Sequence, residues 1–245
     1  YEGKSAIGPY GDMVMQVDGF VGRLTETLER NGLRDDTIVI FTSDNGCSTI
    51  VDFLRLEGLG HYPSYIYRGT KGDIWDGGHR IPFIVSWPGH VPAGTVCGET
   101  CCLVDMMATF ADLVGAELPD NAGEDSVSQL SLWTGGSGAI RDYTVHHSLL
   151  GNFAIRKGPW KLECCAGSGS FNPPIEGKDT AGMPDYQLYD LASDIGEQVN
   201  LAEAYPEKLN ELKTILTDCI RSGRSTPGAP QDNAACENWP GLNWM

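Results

Sequence analysis

The sequence has a marked shortage of positive charge. Its 245 residues include 17 Lys and Arg against 33 Asp and Glu, which gives a formal net charge of −16 at pH 7. Nucleic acid attracts basic surfaces through its phosphate backbone, so this chain is not expected to bind it. The acidic excess mildly favours a divalent cation such as calcium or magnesium, because carboxylates are suitable ligands for both.

Long apolar runs and zinc-binding spacings are also missing. No apolar run approaches the roughly 18 residues that a membrane helix needs, so no membrane span is expected. The eight cysteines include no C-x-x-C pair and no zinc-finger histidine spacing, which argues against structural zinc. Their pairing and the compartment stay open, with a periplasmic, secreted or lysosomal location favoured over the cytoplasm.

The first part of the chain has the pattern of an α/β layer. Apolar residues at helical spacing predict a helix from Asp12 to Asn31 and another from Leu103 to Val114. The β-branched run Thr37–Thr42 predicts a strand covered on both faces, as in a parallel sheet, and Ile81–Trp87 predicts a second strand. The polar composition of Leu118–Gly138 predicts a surface loop.

The second part of the chain has the pattern of a small α+β unit. Four short strands are predicted, followed by a helix that begins at Pro206 and ends before Gly223. We therefore expect an α/β domain at residues 1–140 and a small α+β domain with a tail at residues 141–245. The four predicted strands are Tyr143–Ser148, Phe153–Lys157, Trp160–Cys165 and Tyr186–Tyr189.

A polar motif follows the first predicted strand. Asp44 and Asn45 offer a carboxylate and an amide oxygen at adjacent positions, and both are suited to calcium or magnesium. They lie at the carboxyl end of a strand, where α/β sheets bind ligands. The alternative is a simple turn, because Asp, Asn and Gly are preferred turn residues. Two ligands do not complete a calcium shell, so others must come from elsewhere.

A glycine-rich loop from Tyr67 to Arg80 carries several cationic side chains. Lys71 could neutralise an oxyanion such as sulfate or phosphate, and the glycines allow a close approach of the backbone. The loop lacks the G-x-x-x-x-G-K-[ST] order, so a Walker-type nucleotide site is not supported. The alternative is a solvated loop with incidental charges.

The histidines differ in their candidate roles. His61 precedes the glycine-rich loop, and His147 lies on a predicted strand beside His146, so that one of the pair must face away from the other. We consider His61 and His147 candidates for substrate contact, because histidine serves readily as an acid or a donor. His79 and His90 are interpreted as structural or exposed.

Three blocks of sequence stand out when they are taken together. They are V-I-F-T-S-D-N-G at Val39–Gly46, Y-R-G-T-K-G-D-I-W-D-G-G-H-R-I-P-F-I-V-S-W-P-G at Tyr67–Gly89, and Y-Q-L-Y-D-L-A-S-D-I-G-E-Q-V-N-L-A at Tyr186–Ala202. In this order they resemble the formylglycine-dependent (type I) sulfatases, the arylsulfatase family of the alkaline-phosphatase superfamily. The resemblance implies part of a mixed sheet flanked by helices, followed by a small α+β C-terminal domain with an antiparallel sheet and one packing helix.

The resemblance also implies a chemistry for the candidate residues. Asp44 and Asn45 match two calcium ligands of the family, and Lys71 matches the catalytic lysine that contacts the sulfate ester oxygens. Hydrolysis of a sulfated carbohydrate or an aryl sulfate is the implied reaction, with calcium as cofactor and formylglycine as nucleophile.

One departure from the family pattern limits this expectation. The formylglycine precursor is a cysteine in C-x-P-S-R or C-x-A-S-R, and none of the eight cysteines lies in such a motif. The chain thus resembles the C-terminal half of a sulfatase. We expect it to be inactive alone and to have the N-terminal half of the same enzyme as a partner. The alternatives are a phosphodiesterase or phosphonate hydrolase of the same superfamily, and a non-catalytic fragment that binds sulfated glycans.

Overall fold

The computed structural model describes residues 1–233 and 239–245, so Cys236 lies outside the described residues. Helices and two small sheets alternate along the chain, as the α/β expectation requires. The strands are β1 (Val39–Thr42), β2 (Phe83–Ser86), β3 (Thr144–His147), β4 (Phe153–Lys157), β5 (Trp160–Glu163) and β6 (Gln187–Asp190). The helices are α1 (Pro9–Arg30), α2 (Phe53–Gly58), α3 (Asp76–His79), α4 (Met106–Leu113), α5 (Leu130–Trp133) and α6 (Pro206–Ser222), with 3₁₀ turns at Leu103–Asp105 and Pro240–Leu242.

Strands β1 and β2 form a two-stranded antiparallel sheet. Val39 lies opposite Ser86, and Thr42 lies opposite Phe83. The prediction that β1 has a parallel neighbour is therefore wrong for the described part of the chain. The residues of β1 are half-buried or exposed, so the strand is not covered on both faces. A β-branched run identifies a strand, but it does not determine the direction of the neighbouring strand.

The other four strands form one antiparallel sheet in the order β3-β4-β5-β6. Helix α6 begins at a proline and ends at Gly223, whose φ of 65° is left-handed. The helix packs on β4 and β5. The predicted antiparallel sheet with one packing helix is confirmed. The fully buried side chains of this core are Ile155, Leu162, Leu188, Leu212 and Leu216.

The two long helices of the first part form where the apolar spacing predicts them, with different bounds. Helix α1 begins three residues before the predicted Asp12, because Pro9 occupies its first turn. The predicted Leu103–Val114 helix is a 3₁₀ turn followed by α4. The predicted surface loop at Leu118–Gly138 contains α5, whose Trp133 is buried. Within the described residues, no helix is both long enough and apolar enough to cross a membrane.

Candidate functional site

Two hydrogen bonds join the turn after β1 to the glycine-rich loop. The Gly46 amide donates to the Gly78 carbonyl at 2.9 Å, and the Lys71 amide donates to the Cys47 carbonyl at 2.8 Å. Cys47 lies only two residues beyond Asn45. The structure therefore brings the predicted metal-ligand pair and the predicted sulfate-contacting lysine onto neighbouring segments, although Lys71 follows Asn45 by 26 positions in the chain.

Glycine is required where these segments meet. A Cβ atom at Gly46 would lie 1.8 Å from the Gly77 carbonyl oxygen, and one at Gly77 would lie 2.2 Å from the Gly69 carbonyl oxygen. No side chain fits such contacts without moving a backbone segment. The glycines of the loop thus allow the turn and α3 to pack against each other.

Asp44 and Asn45 have oxygen atoms available for a cation. Asp44 is exposed, and its carboxylate makes no hydrogen bond or ion pair with any described residue. The Asn45 amide nitrogen donates to the Gly46 carbonyl at 3.1 Å, which leaves Oδ1 as a free acceptor. These donors suit a hard cation such as calcium. Residues 1–233 and 239–245 contain no group of three or more His, Cys, Asp or Glu side chains that could hold a metal ion, so the pair would supply only part of a shell.

Lys71 is exposed on a loop whose backbone is held by buried polar side chains. The Asp73 carboxylate accepts a hydrogen bond from the Thr70 amide at 2.8 Å, and Asn172 donates from Nδ2 to the same oxygen at 2.5 Å. Burial raises the pKa of Asp73, although these hydrogen bonds oppose the shift. The backbone on both sides of Lys71 is therefore held in place, while the Lys71 side chain stays exposed to solvent.

The two candidate histidines differ in their exposure and in their contacts. The His61 ring packs on Tyr10, with centroids 5.3 Å apart, and its Nε2 is buried without a hydrogen-bond partner among the described residues. His147 is exposed, and its Nδ1 lies 2.8 Å from the Ser148 carbonyl, which leaves Nε2 free. The strand carrying His147 reaches the loop, because the Leu149 amide donates to the Gly72 carbonyl at 2.8 Å.

His146 and His147 face opposite ways, as expected for neighbours on a strand. The His146 ring stacks on His79 with centroids 3.7 Å apart, and its Nε2 lies 3.3 Å from the Ile74 carbonyl. His79 is thus structural, as interpreted from the sequence. His90 stacks on Trp87 at 3.8 Å, which is also a structural contact.

A buried ion network lies beneath the glycine-rich loop. The Lys161 ammonium, fully buried on β5, is 2.9 Å from Asp76 Oδ1, 2.5 Å from Glu197 Oε1 and 3.1 Å from Glu163 Oε1. Asp76 is the first residue of α3 and follows Lys71 by five positions within the glycine-rich loop. An ammonium group with no access to water requires such partners, because an isolated buried charge is strongly unfavourable.

Glu197 contacts both ends of the loop. Its carboxylate accepts a hydrogen bond from the Asp76 amide at 2.8 Å, and its carbonyl accepts one from Arg68 Nη1 at 2.8 Å. Its φ of 53° is left-handed, a conformation that is uncommon outside glycine. The guanidinium of Arg68 also stacks on Trp75 at 3.6 Å. Residues 69–75, including Lys71, are therefore fixed at both ends by contacts with the second sheet region.

Burial and charge shift the pKa values of this network in different directions. Burial would raise the pKa of Asp76, but the Lys161 ammonium and His79 outweigh it and lower the pKa well below the usual range. Burial would lower the pKa of Lys161, but Glu163 and the other carboxylates raise it. Burial raises the pKa of Glu163 well above its ordinary value. Burial, with Lys161 nearby, lowers the pKa of His79 to about 4.

Sequence reasoning missed Lys161, Glu163 and Glu197. Strand alternation places Lys161 and Glu163 on one face of β5, opposite Leu162, which points into the core. From sequence alone that charged face would be assigned to solvent. In the structure it is covered by the segment from Arg68 to Arg80, and Arg80 itself pairs with Asp76 at 3.0 Å. The opposite charges of Lys161 and Glu163, at alternate positions of β5, were the feature of the sequence that could have indicated a buried ion pair.

Comparison with known proteins assigns these motifs to a family. Residues 2–116, which include both the turn after β1 and the glycine-rich loop, match the family model described as sulfatase. The chain belongs to the sulfatase family. Of the three sequence blocks that suggested this resemblance, the first contacts the second through the Gly46 amide and the Gly78 carbonyl, and the second contacts the third through the Asp76 amide and the Glu197 carboxylate.

Several sulfatases are similar over most of the chain. It is 38% identical over 226 residues to an N-acetylgalactosamine-6-O-sulfatase of Bacteroides thetaiotaomicron, which covers 88% of this chain and 42% of that protein. It is 36% identical over 227 residues to human arylsulfatase A, covering 86% of this chain and 43% of that enzyme. The chain spans less than half the length of these relatives.

A solved sulfatase structure supports the same fold. It comes from work on glycosaminoglycan metabolism by Bacteroides thetaiotaomicron and superposes with a TM-score of 0.78 at 37% identity. The match covers 89% of this chain and 46% of that one. The α/β architecture with sheets flanked by helices is therefore the alkaline-phosphatase-like fold of the sulfatases.

Proposed function

We propose that this chain carries the lysine and two calcium ligands of a sulfatase active site that hydrolyses sulfate esters of carbohydrates. The observation that supports it most directly is the 2.8 Å hydrogen bond from the Lys71 amide to Cys47, which places the lysine loop beside the Asp44–Asn45 turn. A cationic residue on a segment that adjoins two hard oxygen donors suits a substrate that is an anionic ester. The similarity to named sulfatases favours this reaction over the hydrolysis of phosphodiesters or phosphonates.

Each candidate residue has a distinct role in this proposal. Asp44 and Asn45 would hold part of the calcium shell through Oδ atoms that no described residue occupies. Calcium would polarise the sulfate ester. The Lys71 ammonium would contact ester oxygens and stabilise the negative charge that develops on them. His61 and His147 would contact the sugar, because the Nε2 atom of each ring has no hydrogen-bond partner among the described residues.

The nucleophile of this reaction would come from outside the 245 residues. None of the eight cysteines lies in the C-x-[PA]-S-R sequence from which formylglycine is made, and calcium needs more ligands than residues 1–233 and 239–245 bring together. We infer that the rest of the site is contributed by the N-terminal half of the same enzyme. The isolated chain should therefore show no turnover.

The proposed substrate is a sulfated carbohydrate. Similarity to an N-acetylgalactosamine-6-O-sulfatase supports N-acetylgalactosamine 6-sulfate as the first compound to test, with 4-nitrophenyl sulfate as an aryl comparison. A periplasmic, secreted or lysosomal location is part of the proposal, and the eight cysteines of the chain favour it over the cytoplasm.

The test measures sulfate release by the enzyme that is encoded by the complete open reading frame containing this chain. Replacing Lys71 with alanine should lower kcat/KM by about 10²–10³, the usual effect of losing one group that stabilises transition-state charge. Asp44→Ala should raise the calcium concentration needed for half-maximal activity. Lys178→Ala is the matched control, since Lys178 is also an exposed loop lysine, and it should leave both quantities unchanged.

Two results would contradict the proposal. Unchanged sulfate release by the Lys71→Ala enzyme would remove the lysine from the reaction. Calcium-dependent turnover by the purified 245-residue chain would show that no group from outside it is needed.

A further inference from the structure

An aromatic cleft lies beside the lysine loop and has no role in the proposed sulfate chemistry. It has a volume of about 360 Å³, within the range of small-molecule sites, roughly 300–1,000 Å³. Gly69 and Thr70 line it, and Lys71 is the next residue along the chain. The cleft therefore adjoins the segment that carries Lys71, the residue proposed to contact the sulfate group.

The walls of the cleft combine exposed aromatic rings with free polar groups. Tyr62 and Tyr65 are exposed, and Tyr67 packs edge-on against Tyr65 with centroids 6.0 Å apart. Among the described residues, the hydroxyls of these three tyrosines and the carboxylate of Glu57 make no hydrogen bond. The Asn172 amide donates from Nδ2 to Thr70 at 2.6 Å, so its Oδ1 is a free acceptor.

The loop presenting these rings is ordered and strained. The Tyr65 amide donates to the Tyr62 carbonyl at 2.9 Å, and Ser64 Oγ donates to the Gly69 carbonyl at 2.9 Å. Tyr65 has a φ of 53°, which is uncommon for a bulky residue, and its side chain is 68% exposed. Folding gains little from holding a strained residue with its ring in water, and such strain is typical of binding sites.

We propose that this cleft binds a neutral sugar ring of the carbohydrate, next to the sulfated ring at Lys71. A sugar presents an apolar C–H face that suits the tyrosine rings, and hydroxyls that suit free carboxylate and amide acceptors. The exposed Glu57 carboxylate would repel an acidic sugar such as a uronate. Arg68, the cation in the wall, stacks on Trp75 and donates a hydrogen bond to the backbone carbonyl of Glu197. This inference rests on the proposed function for its substrate class.

The experiment is saturation-transfer NMR on the 245-residue chain. The probes are the neutral disaccharide N-acetyllactosamine, the corresponding 6-O-sulfated disaccharide, and glucuronic acid as an acidic sugar. We expect transfer to the C–H protons of one face of the neutral ring, and none to glucuronic acid. Tyr65→Ala and Tyr62→Ala should each weaken the binding of the neutral disaccharide about tenfold, the order expected for one aromatic contact.

The controls separate this inference from the proposed function. Phe20→Ala removes an exposed aromatic ring from α1, outside the cleft, and should leave binding of the neutral disaccharide unchanged. Lys71→Ala should weaken only the sulfated disaccharide. The inference is overturned if the neutral disaccharide does not bind, or if both tyrosine variants bind it normally while circular dichroism shows them folded. Equal binding of the sulfated and neutral disaccharides, with normal tyrosine dependence, would contradict only the sulfate role of Lys71.

Discussion

The two parts of the chain differ in where their apolar side chains lie. In residues 141–233 the sheet and α6 enclose a core whose central residues have no solvent exposure. In residues 1–140 the apolar stripe of α1 is open to solvent, and Phe20 is 52% exposed. Ile74 and Trp75, two of the buried apolar residues of this part, pack into a cluster with the second sheet. The part with the predicted catalytic lysine thus obtains its rigidity from the other part.

This contrast shows that an amphipathic sequence pattern does not by itself produce a buried core. The 3.6-residue spacing in α1 predicts which face needs a partner, but it supplies no partner. Within the described residues, the strands β1 and β2 pair only with each other. The second sheet has four strands and a helix on it, which is close to the minimum for an independently stable unit.

The largest expected effect comes from the ion network that joins the two parts. Lys161→Met should lower the free energy of unfolding by about 3–5 kcal/mol, because it leaves buried carboxylates without their cation. Lys157→Met is the matched control from the adjacent strand, where Lys157 pairs with Glu211 at a half-exposed site, and should cost less than about 1 kcal/mol. Urea denaturation of both variants measures the difference. Similar losses would mean that the buried network does not hold the parts together.

A smaller effect is expected from truncating one isoleucine in each sheet. Ile155 on β4 is fully buried, whereas Ile84 on β2 is 58% exposed. Ile155→Ala should cost about 2–5 kcal/mol, and Ile84→Ala less than about 1 kcal/mol. The measurement is again urea denaturation. If Ile84→Ala were the more costly change, the first sheet would be the better packed of the two, and the comparison would be reversed.

The smallest effect concerns the imidazole at the contact between the parts. His79 should titrate with a pKa of about 4 in the folded chain and near 6.5 in urea, as followed by NMR of its ring protons. Because the folded state binds this proton less readily, its contribution to stability is present above pH 6.5 and is lost as the pH falls towards 4. A folded-state pKa near 6.5 would mean that His79 is solvated and that the contact with His146 is loose.

The regular elements were largely predictable from the sequence, because local periodicity specifies them. The strand Phe153–Lys157 and the helix from Pro206 to Ser222 lie where the pattern placed them. The direction of the neighbour of β1 was not predictable, since pairing depends on residues more than 40 positions away. The position of the domain boundary near residue 140 stays a prediction.

The candidate site was predictable in part. The resemblance to sulfatases located Asp44, Asn45 and Lys71, and the structure places their segments side by side, whereas their roles stay predictions. The burial of Lys161 was not predictable, because a charged strand face is normally solvated and the segment that covers it lies about 85 residues away. Long-range covering of a polar face leaves no local pattern in the sequence.

The contacts of Glu197 with the lysine loop have a consequence for the order of folding. Glu197 follows Asp76 by 121 residues in the chain. At ordinary rates of synthesis of 5–20 residues per second, it leaves the ribosome roughly ten seconds after the loop does. During that interval the loop that carries Lys71 lacks the two hydrogen bonds that Glu197 supplies at Arg68 and Asp76. Complete restraint of this loop therefore requires the chain to be made at least as far as Glu197.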